Sequence, residues 1–181
     1  MTIQDRTYNR SSYILVVDDD DTLLKFFKIH LNKFFSRVIV VQNAKEAIET
    51  LKEKDIDLVI SDIKMPRMDG IQLMRKVKNH DPAIPVFLVS GALLNESQQD
   101  AIDTKADGYL KKPFGIDELH SFIDKGIILR EAFKELLELS GDPKKFSELV
   151  QGKRQTRFIK DEEKRSRADE IMSGLQKPKA S

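Results

Sequence analysis

The sequence predicts an α/β protein in which helices cover a parallel, five-stranded sheet. Five short apolar runs alternate along the chain with longer segments whose apolar residues recur at helical spacing, which is typical of repeated βα units. Three of the runs lead directly into charged residues, and parallel strands bring such ends to one edge of a sheet. The five predicted strands are Tyr13–Val17, Val38–Val41, Leu58–Ile60, Val86–Val89 and Gly108–Leu110.

The first three predicted helices each carry one apolar stripe that can pack on the sheet. A weaker pattern predicts a fourth helix over Ala92–Thr104, whose polar middle indicates loose packing. In front of the first helix, Asp20 or Asp21 is expected to act as the N-cap. The three stripes are Leu23, Leu24, Phe27, Leu31 and Phe34, then Ala44, Ala47, Ile48 and Leu51, then Ile71, Met74 and Val77.

The fifth helix is predicted to be longer than one sheet face requires. Asp117 and Glu118 complement the helix dipole in its first turn, and the helical pattern continues to the stop signal that begins at Gly141. The part beyond residue 127 therefore needs a cover of its own, which either a second copy of the chain or the folded-back tail would provide. Its apolar residues are Leu129, Phe133, Leu136 and Leu137.

Length and composition indicate one main domain with additional segments. A chain of 181 residues with 40% hydrophobic content can bury one full core.

The C-terminal part of the chain is basic. Residues 143–181 contain 11 Lys and Arg against 6 Asp and Glu, and a solvated mixed-charge helix explains this bias more simply than nucleic-acid contact. A charge-rich helical pattern covers Lys160–Leu175, and the last six residues are expected to be disordered. The predicted units are an N-terminal tail (1–11), the main domain (12–127), an extension of the fifth helix (128–142) and a basic, partly helical tail (143–181).

Several classes of protein are excluded by composition. The chain has no cysteine, which rules out disulfides, thiol catalysis and cysteine-ligated zinc, and His30, His80 and His120 lack metal-ligand spacing. No apolar run approaches the roughly 20 residues of a membrane span, and the N-terminus is polar. A soluble cytoplasmic protein without membrane contact is expected.

The charged residues that follow three strands suggest a particular chemistry. Asp18 and Asp19 follow the first predicted strand, Asp62 follows the third, and Lys112 follows the fifth. If the strands are parallel, these groups meet at the carboxyl edge of the sheet. An acidic cluster that faces a lysine suits a divalent cation and a phosphoryl group.

The order and spacing of these residues resemble the response-regulator receiver domain of two-component signalling, over residues 12 to 127. The most specific match is the segment 65–70, which reads Met-Pro-Arg-Met-Asp-Gly. The resemblance implies a doubly wound, flavodoxin-like sheet with the strand order 2-1-3-4-5. It also implies that Asp62 accepts the phosphoryl group.

The resemblance assigns the remaining site residues as well. It implies that Mg²⁺ is held by Asp18, Asp19, Asp62 and the main-chain carbonyl of Lys64, because anionic oxygens and the incoming phosphate repel one another. Lys112 would stabilise another phosphoryl oxygen in a transfer that depends on positioning and electrostatics. The Lys112-Pro113 peptide bond is usually cis in this family.

Two further residues are implied to report the phosphorylated state. Ser90, the hydroxyl residue after the fourth strand, would hydrogen-bond the phosphoryl group. Tyr109 in the fifth strand would turn inward in response, so that the domain has two states.

The expected partners are a sensor histidine kinase or histidine phosphotransfer protein, and a downstream protein. The resemblance implies a signalling module that promotes only its own phosphoryl transfer and dephosphorylation, rather than an enzyme. Two alternatives remain open. One is a transcriptional regulator that binds DNA through the basic tail, although no helix-turn-helix pattern is found there. The other is a homodimeric scaffold that pairs through the extended fifth helix.

Overall fold

The sheet lies at the centre of the fold, and every pair of neighbouring strands is parallel. A computed structural model describes residues 12–91, 95–148 and 150. Its strand order is β2-β1-β3-β4-β5, which confirms the doubly wound order that the resemblance implied. The strands are β1 (Tyr13–Val17), β2 (Arg37–Val41), β3 (Leu58–Asp62), β4 (Val86–Ser90) and β5 (Gly108–Lys111).

Five helices follow the strands in strict alternation, as the sequence predicted. None of the helices in the described ranges is long and apolar enough to cross a membrane. The helices are α1 (Asp21–Leu31), α2 (Ala44–Glu53), α3 (Gly70–His80), α4 (Glu96–Lys105) and α5 (Ile116–Ser140).

Alternate residues of each central strand enter different cores, one on each face of the sheet. In β1, Ile14 and Val16 pack with α1 and α5, whereas Leu15 and Val17 pack with α2, α3 and α4. This two-residue period is a direct consequence of the pleat. Because both faces are covered, the strands are nearly continuous apolar runs, which is why they stood out in the sequence.

Three strands extend further towards their charged ends than the sequence predicted. β3 includes Asp62, β4 includes Ser90 and β5 includes Lys111. In each case main-chain pairing continues, with Asp62 opposite Val89 and Ser90 opposite Lys111. The sheet ladder uses only N–H and C=O groups, so it does not stop where side chains become polar.

The start of the fourth helix also differs from the prediction. Asn95 is the N-cap, and it forms a reciprocal capping box with Gln98, so that α4 begins at Glu96 rather than at Ala92. Residues 92–94 lie outside the described ranges. In front of α1, the side chain of Asp20 accepts hydrogen bonds from the N–H groups of Thr22 and Leu23, which confirms this residue as the cap.

The extended fifth helix is covered by the chain itself. α5 runs to Ser140 and ends at Gly141, which has a left-handed φ of 63° that favours glycine. Residues 143–148 then form a short helical stretch, and these residues together with Val150 are called the fold-back segment. It packs against Phe133, Leu136 and Leu137 of the extension, so the folded-back tail covers these three residues. Leu129 packs instead with the main core on the α1 and α5 side of the sheet. The small core formed there contains Ala83, Phe133, Leu136, Leu137, Phe146 and Val150.

An ionic network fixes the same part of α5 to the amino edge of the sheet. The guanidinium of Arg130, whose side chain is 5% exposed, lies 2.8 Å from Asp81, 3.5 Å from Asp57 and 3.6 Å from Asp55. Lys134 adds a 2.8 Å ion pair with Asp57. The extension is therefore anchored at the end of the sheet opposite the predicted site. Residues 1–11 and 151–181, which include the helical pattern Lys160–Leu175, lie outside the described ranges, and the predicted domain boundaries remain a prediction.

His120 is a partly buried titratable residue between α5 and the end of α1. Its ring packs edge-on against Phe34 at 4.7 Å between centroids. Neither ring nitrogen has a hydrogen-bond partner in the described part of the chain. Burial lowers the pKa of His120 below its usual 6.5; Asp117 raises this pKa, whereas His30 and Lys33 lower it further.

The free energy of unfolding is expected to fall as pH drops through the ordinary histidine range. Because the pKa of His120 is lower in the folded state than in the unfolded state, the unfolded chain binds more protons below about pH 6.5. Denaturant titrations at several pH values should show a flatter pH dependence for His120→Phe than for the parent. His80→Gln, at an exposed position, is the control, and an unchanged slope in His120→Phe would contradict this account.

Replacing Phe146 by alanine is expected to loosen the end of α5. The phenylalanine is 1% exposed, and removing such a side chain costs about 3 kcal/mol of the free energy that holds the fold-back segment in place. Hydrogen exchange should accelerate at the α5 amides from Phe133 onwards. Leu139→Ala is the control, because Leu139 is 78% exposed, and equal effects of the two variants would disprove the packing role of Phe146.

Candidate functional site

The ends of three strands meet around one ammonium group. Asp18 follows β1, Asp62 ends β3 and Lys112 follows β5. The Nζ atom of Lys112 lies 2.9 Å from an oxygen of Asp18 and 2.6 Å from an oxygen of Asp62. The two carboxylates are almost fully buried, with exposures of 3% and 7%. The structure thus brings together three of the site residues that the sequence suggested.

The main chain fixes the second oxygen of each carboxylate. The N–H group of Asp20 donates to Asp18 Oδ1 at 2.8 Å, and the N–H group of Lys64 donates to Asp62 Oδ2 at 2.6 Å. Each carboxylate is therefore held between a backbone donor and the Lys112 ammonium. Hydrogen bonds to ionised acceptors are among the stronger ones in proteins, so this arrangement orients both groups.

Lys112 and Ser90 are joined through the backbone where β4 and β5 end. The N–H group of Lys112 donates to the carbonyl of Ser90 at 2.8 Å. Ser90 is 1% exposed and is the last residue of β4. The Lys112-Pro113 peptide bond is cis, as is usual in the family that the sequence resembles.

Burial and the ion pairs act in opposite directions on the site pKa values. Burial raises the pKa of Asp18, and the hydrogen bond from Lys112 opposes this effect without cancelling it. Burial alone would lower the pKa of Lys112. Its hydrogen bonds to Asp62 and Asp18, with their negative charges, outweigh burial, so that the pKa of Lys112 is raised. The lysine therefore remains a cation at neutral pH.

The remaining proposed metal ligands lie beside this ion pair. Asp19 and Lys64 are exposed, and Lys64 follows Asp62 by two residues. Within the described ranges, no three His, Cys, Asp or Glu side chains are already grouped as a metal site. The donors are nevertheless carboxylate and carbonyl oxygens, which suit a hard divalent cation, and two of them already share one cation. The residues present therefore fit Mg²⁺.

Tyr109 lies in β5 on the face of the sheet that α2, α3 and α4 cover. It is half-buried, packs against the edge of that core, and stands opposite Leu88 of β4. Burial raises the pKa of its hydroxyl, so the ring is neutral at physiological pH. Its strand, β5, is separated from the strand of Asp62 by β4, and it leads to Lys112.

Gly70 has a positioning role that the sequence did not reveal. It begins α3, and a Cβ atom at this position would lie 2.1 Å from the carbonyl oxygen of Asp62. Any larger residue would therefore displace the end of β3. The sequence pattern includes this glycine, but only the tertiary contact supplies its physical reason.

Arg67 adopts a strained backbone conformation in the loop between β3 and α3. Its φ is 70°, in the left-handed region that side chains with a Cβ atom rarely adopt. The residue is exposed. The strain therefore lies in the loop that carries Lys64, whose N–H group orients Asp62.

Sequence similarity assigns a family to most of the domain described above. The profile of the response regulator receiver domain matches residues 14–124. The transcriptional regulatory protein ZraR of Escherichia coli K12 is 33% identical over 114 residues, which are 63% of this chain and 26% of ZraR. GlrR of the same strain is 31% identical over 122 residues, 66% of this chain and 27% of that protein. This chain thus spans about a quarter of the length of these relatives.

Solved structures of receiver domains have the same fold as this chain. A response regulator receiver domain protein from Clostridium thermocellum has a TM-score of 0.62 and 28% identity, covering 67% of this chain and 98% of that one. A CheY-like receiver domain protein from Methanospirillum hungatei has a TM-score of 0.63 and 27% identity, with 67% and 98% covered.

Substitutions of Arg67 are expected to rank by their tolerance of a positive φ. Arg67→Gly should leave the free energy of unfolding unchanged or raise it by up to about 1 kcal/mol, because relief of strain outweighs the added entropy of the unfolded chain. Arg67→Val should lower it by roughly 1–2 kcal/mol, since a β-branched residue suits this region least. Chemical denaturation of the three proteins measures the order, and a valine variant as stable as the glycine variant would refute it.

Proposed function

The chain belongs to the response regulator receiver family, and on this premise we propose that Asp62 is the phosphoryl acceptor of a phosphorylation-controlled switch. The observation that supports this most directly is the Lys112 ammonium between two buried carboxylates at the carboxyl edge of the sheet. Such a position, where polar groups converge at the ends of parallel strands, is where open α/β sheets place their reactive residues.

In the proposed reaction, a carboxylate oxygen of Asp62 attacks the phosphorus of a phosphohistidine on a partner protein. The new oxygen–phosphorus bond forms as the nitrogen–phosphorus bond breaks, and the departing imidazole nitrogen takes the bonding pair and then a proton from water. The product is an acyl phosphate, so the carboxylate acts as a covalent nucleophile. The Lys64 N–H group holds the carboxylate in place, while Lys112 supplies positive charge to the transferred group.

We assign Asp18, Asp19, Asp62 and the carbonyl of Lys64 as the groups that would hold Mg²⁺. When bound, the ion neutralises the charge shared by the carboxylate and phosphoryl oxygens. Asp18 contributes through its buried, backbone-oriented carboxylate, whereas Asp19 is exposed next to it. The Asp18 carboxylate is thus held in one orientation by the main chain, whereas the exposed Asp19 carboxylate would be oriented by the ion.

The proposed response to phosphorylation passes through Ser90 and Tyr109. Ser90 ends the strand next to β3, and its carbonyl accepts a hydrogen bond from the N–H group of Lys112. Both neighbours of Ser90 thus belong to the proposed site. A hydrogen bond from the Ser90 hydroxyl to a phosphoryl group on Asp62 would rearrange the end of β4. Tyr109, half-buried in β5 opposite Leu88 of β4, would then move inward, which changes the surface offered to a partner.

We propose a sensor histidine kinase or histidine phosphotransfer protein as the donor, a protein as the downstream target, and the cytoplasm as the location. The relatives are named as transcriptional regulators, but this chain matches about a quarter of each of them, so DNA binding is the less favoured output. A homodimeric scaffold that pairs through α5 is also less favoured, because the fold-back segment covers Phe133, Leu136 and Leu137 of the extension.

Incubation with a small acyl-phosphate donor and Mg²⁺ is expected to add one phosphoryl group to the intact protein. The substitution Asp62→Asn should abolish this mass increase, because an amide is not a nucleophile of comparable strength, and chelation of the metal should prevent it. The control is Asp55→Asn, at a side chain that is 85% exposed. Labelling of Asp62→Asn at the parent rate would show that the acceptor lies elsewhere.

Lys112→Met is expected to slow phosphorylation by about 100-fold, since a positioned charge is removed from the transferring group. The same substitution should lower the free energy of unfolding by about 1–3 kcal/mol, because it leaves two adjacent buried carboxylates without their common cation. Added Mg²⁺ should then stabilise this variant more than it stabilises the parent, as measured by thermal denaturation. Lys111→Met, at the exposed neighbouring position, controls for loss of charge alone, and equal effects of the two variants would contradict the role of Lys112.

A further inference from the structure

Asp20 connects the first helix to the carboxylate of Asp18. Its N–H group donates a hydrogen bond to Asp18 Oδ1 at 2.8 Å. Its own carboxylate accepts hydrogen bonds from the N–H groups of Thr22 at 2.8 Å and Leu23 at 3.3 Å, as expected of an N-cap. A single residue therefore contacts the candidate site through its main chain and α1 through its side chain.

The side-chain cap of Asp20 fixes the direction of its N–H group. The capped residue has an extended conformation, with φ at −86° and ψ at 105°, and its carbonyl accepts the first helical hydrogen bond, from the N–H group of Leu24 at 3.0 Å. The angle φ relates the plane of the preceding peptide, which holds the Asp20 N–H group, to the helix that follows. If the cap is lost, the first turn of α1 frays and this N–H group can turn away from Asp18.

The Asp18 carboxylate is held by a hydrogen bond at each of its oxygens. The Asp20 N–H group binds Oδ1, and the Lys112 ammonium lies 2.9 Å from Oδ2 and is shared with Asp62. Asp18 is only 3% exposed, so water does not easily replace a hydrogen bond that Oδ1 loses. Without the bond from Asp20, the carboxylate is free to rotate towards Lys112.

We propose that Asp20 is a positioning residue for Mg²⁺, because its side-chain cap keeps its N–H group on Asp18 and so keeps the Asp18 carboxylate oriented for the ion. The inference rests on the proposed function, in which Asp18 is one of the groups that hold Mg²⁺. Neither the charge of Asp20 nor a bond from its side chain to the ion is required. Asp20 is exposed, so substitutions at this position leave the core unchanged.

The negative charge of Asp20 is the competing explanation for any effect on the ion, and two substitutions separate charge from capping. Asp20→Asn removes the charge but keeps a side chain that caps as well as aspartate does. Asp20→Glu keeps the charge in a residue that is not among those preferred at N-caps. If the cap is what matters, the asparagine variant matches the parent and the glutamate variant resembles Asp20→Ala, whereas a role of the charge reverses this order.

Titration of the full chain with Mg²⁺, followed by isothermal titration calorimetry, tests the inference. The dissociation constant should rise about three- to fivefold in Asp20→Ala and Asp20→Glu, the size of effect that loss of one N-cap has on a local equilibrium, and by less than about twofold in Asp20→Asn. Asn43→Ala is the matched control, because it removes the N-cap of α2, whose side chain accepts from the N–H group of Glu46 at 3.0 Å. This control should bind Mg²⁺ as the parent does.

The amide proton of Asp20 provides a readout in the metal-free protein. Its hydrogen bond to Asp18 should shift its nuclear magnetic resonance signal downfield and slow its exchange with solvent. Both features should persist in Asp20→Asn and be lost in Asp20→Ala and Asp20→Glu. Circular dichroism verifies that each variant is folded.

Several outcomes would overturn the inference. Equal Mg²⁺ dissociation constants for the parent and Asp20→Ala would do so while leaving the proposed function intact, as would tight binding by Asp20→Glu together with weak binding by Asp20→Asn. Weakened binding in Asn43→Ala of the same size would show that the effect is not specific to the cap of α1. A parent protein that does not bind Mg²⁺ would overturn the proposed metal site as well.

Discussion

The contact on which the rest of the site depends is the sharing of one lysine ammonium by two buried carboxylates. Asp18 follows β1 and Asp62 ends the adjacent strand β3, and both are buried, so their negative charges repel with little screening by water. Lys112, from the far edge strand, lies within 2.9 Å of both and balances that repulsion. The pair can be buried only if β1, β3 and β5 end at the same edge, which ties the chemistry directly to the parallel topology.

The carboxyl edge of the sheet carries the site, and the amino edge anchors the extension of α5. At the carboxyl edge, backbone N–H groups and Lys112 orient the carboxylates. At the amino edge, Arg130 and the fold-back segment attach the long fifth helix. Because the attachment lies away from the site, the extension does not restrict access to Asp62. The rigid sheet between the edges holds the reacting groups in register while the added segments occupy the other end.

Most of the fold could be predicted because both faces of the sheet are covered. A strand such as β1 then appears as a continuous apolar run, and helices such as α3 show one apolar stripe. The ends of elements were predicted less well. Main-chain pairing carries β3 through Asp62 despite its charge, and the Asn95 capping box, rather than apolar spacing, determines where α4 begins.

Local spacing is sufficient to predict the alternation of strands and helices and the charged residues that follow the strands. The position of Lys112 between Asp18 and Asp62, with Asp19 exposed, is instead a result of how the strands pack together. The same is true of the contact between the fold-back segment and Phe133, and of the need for a glycine at position 70 beside the Asp62 carbonyl. Each of these depends on atoms distant in sequence that meet only after the sheet has formed, so no local pattern records them.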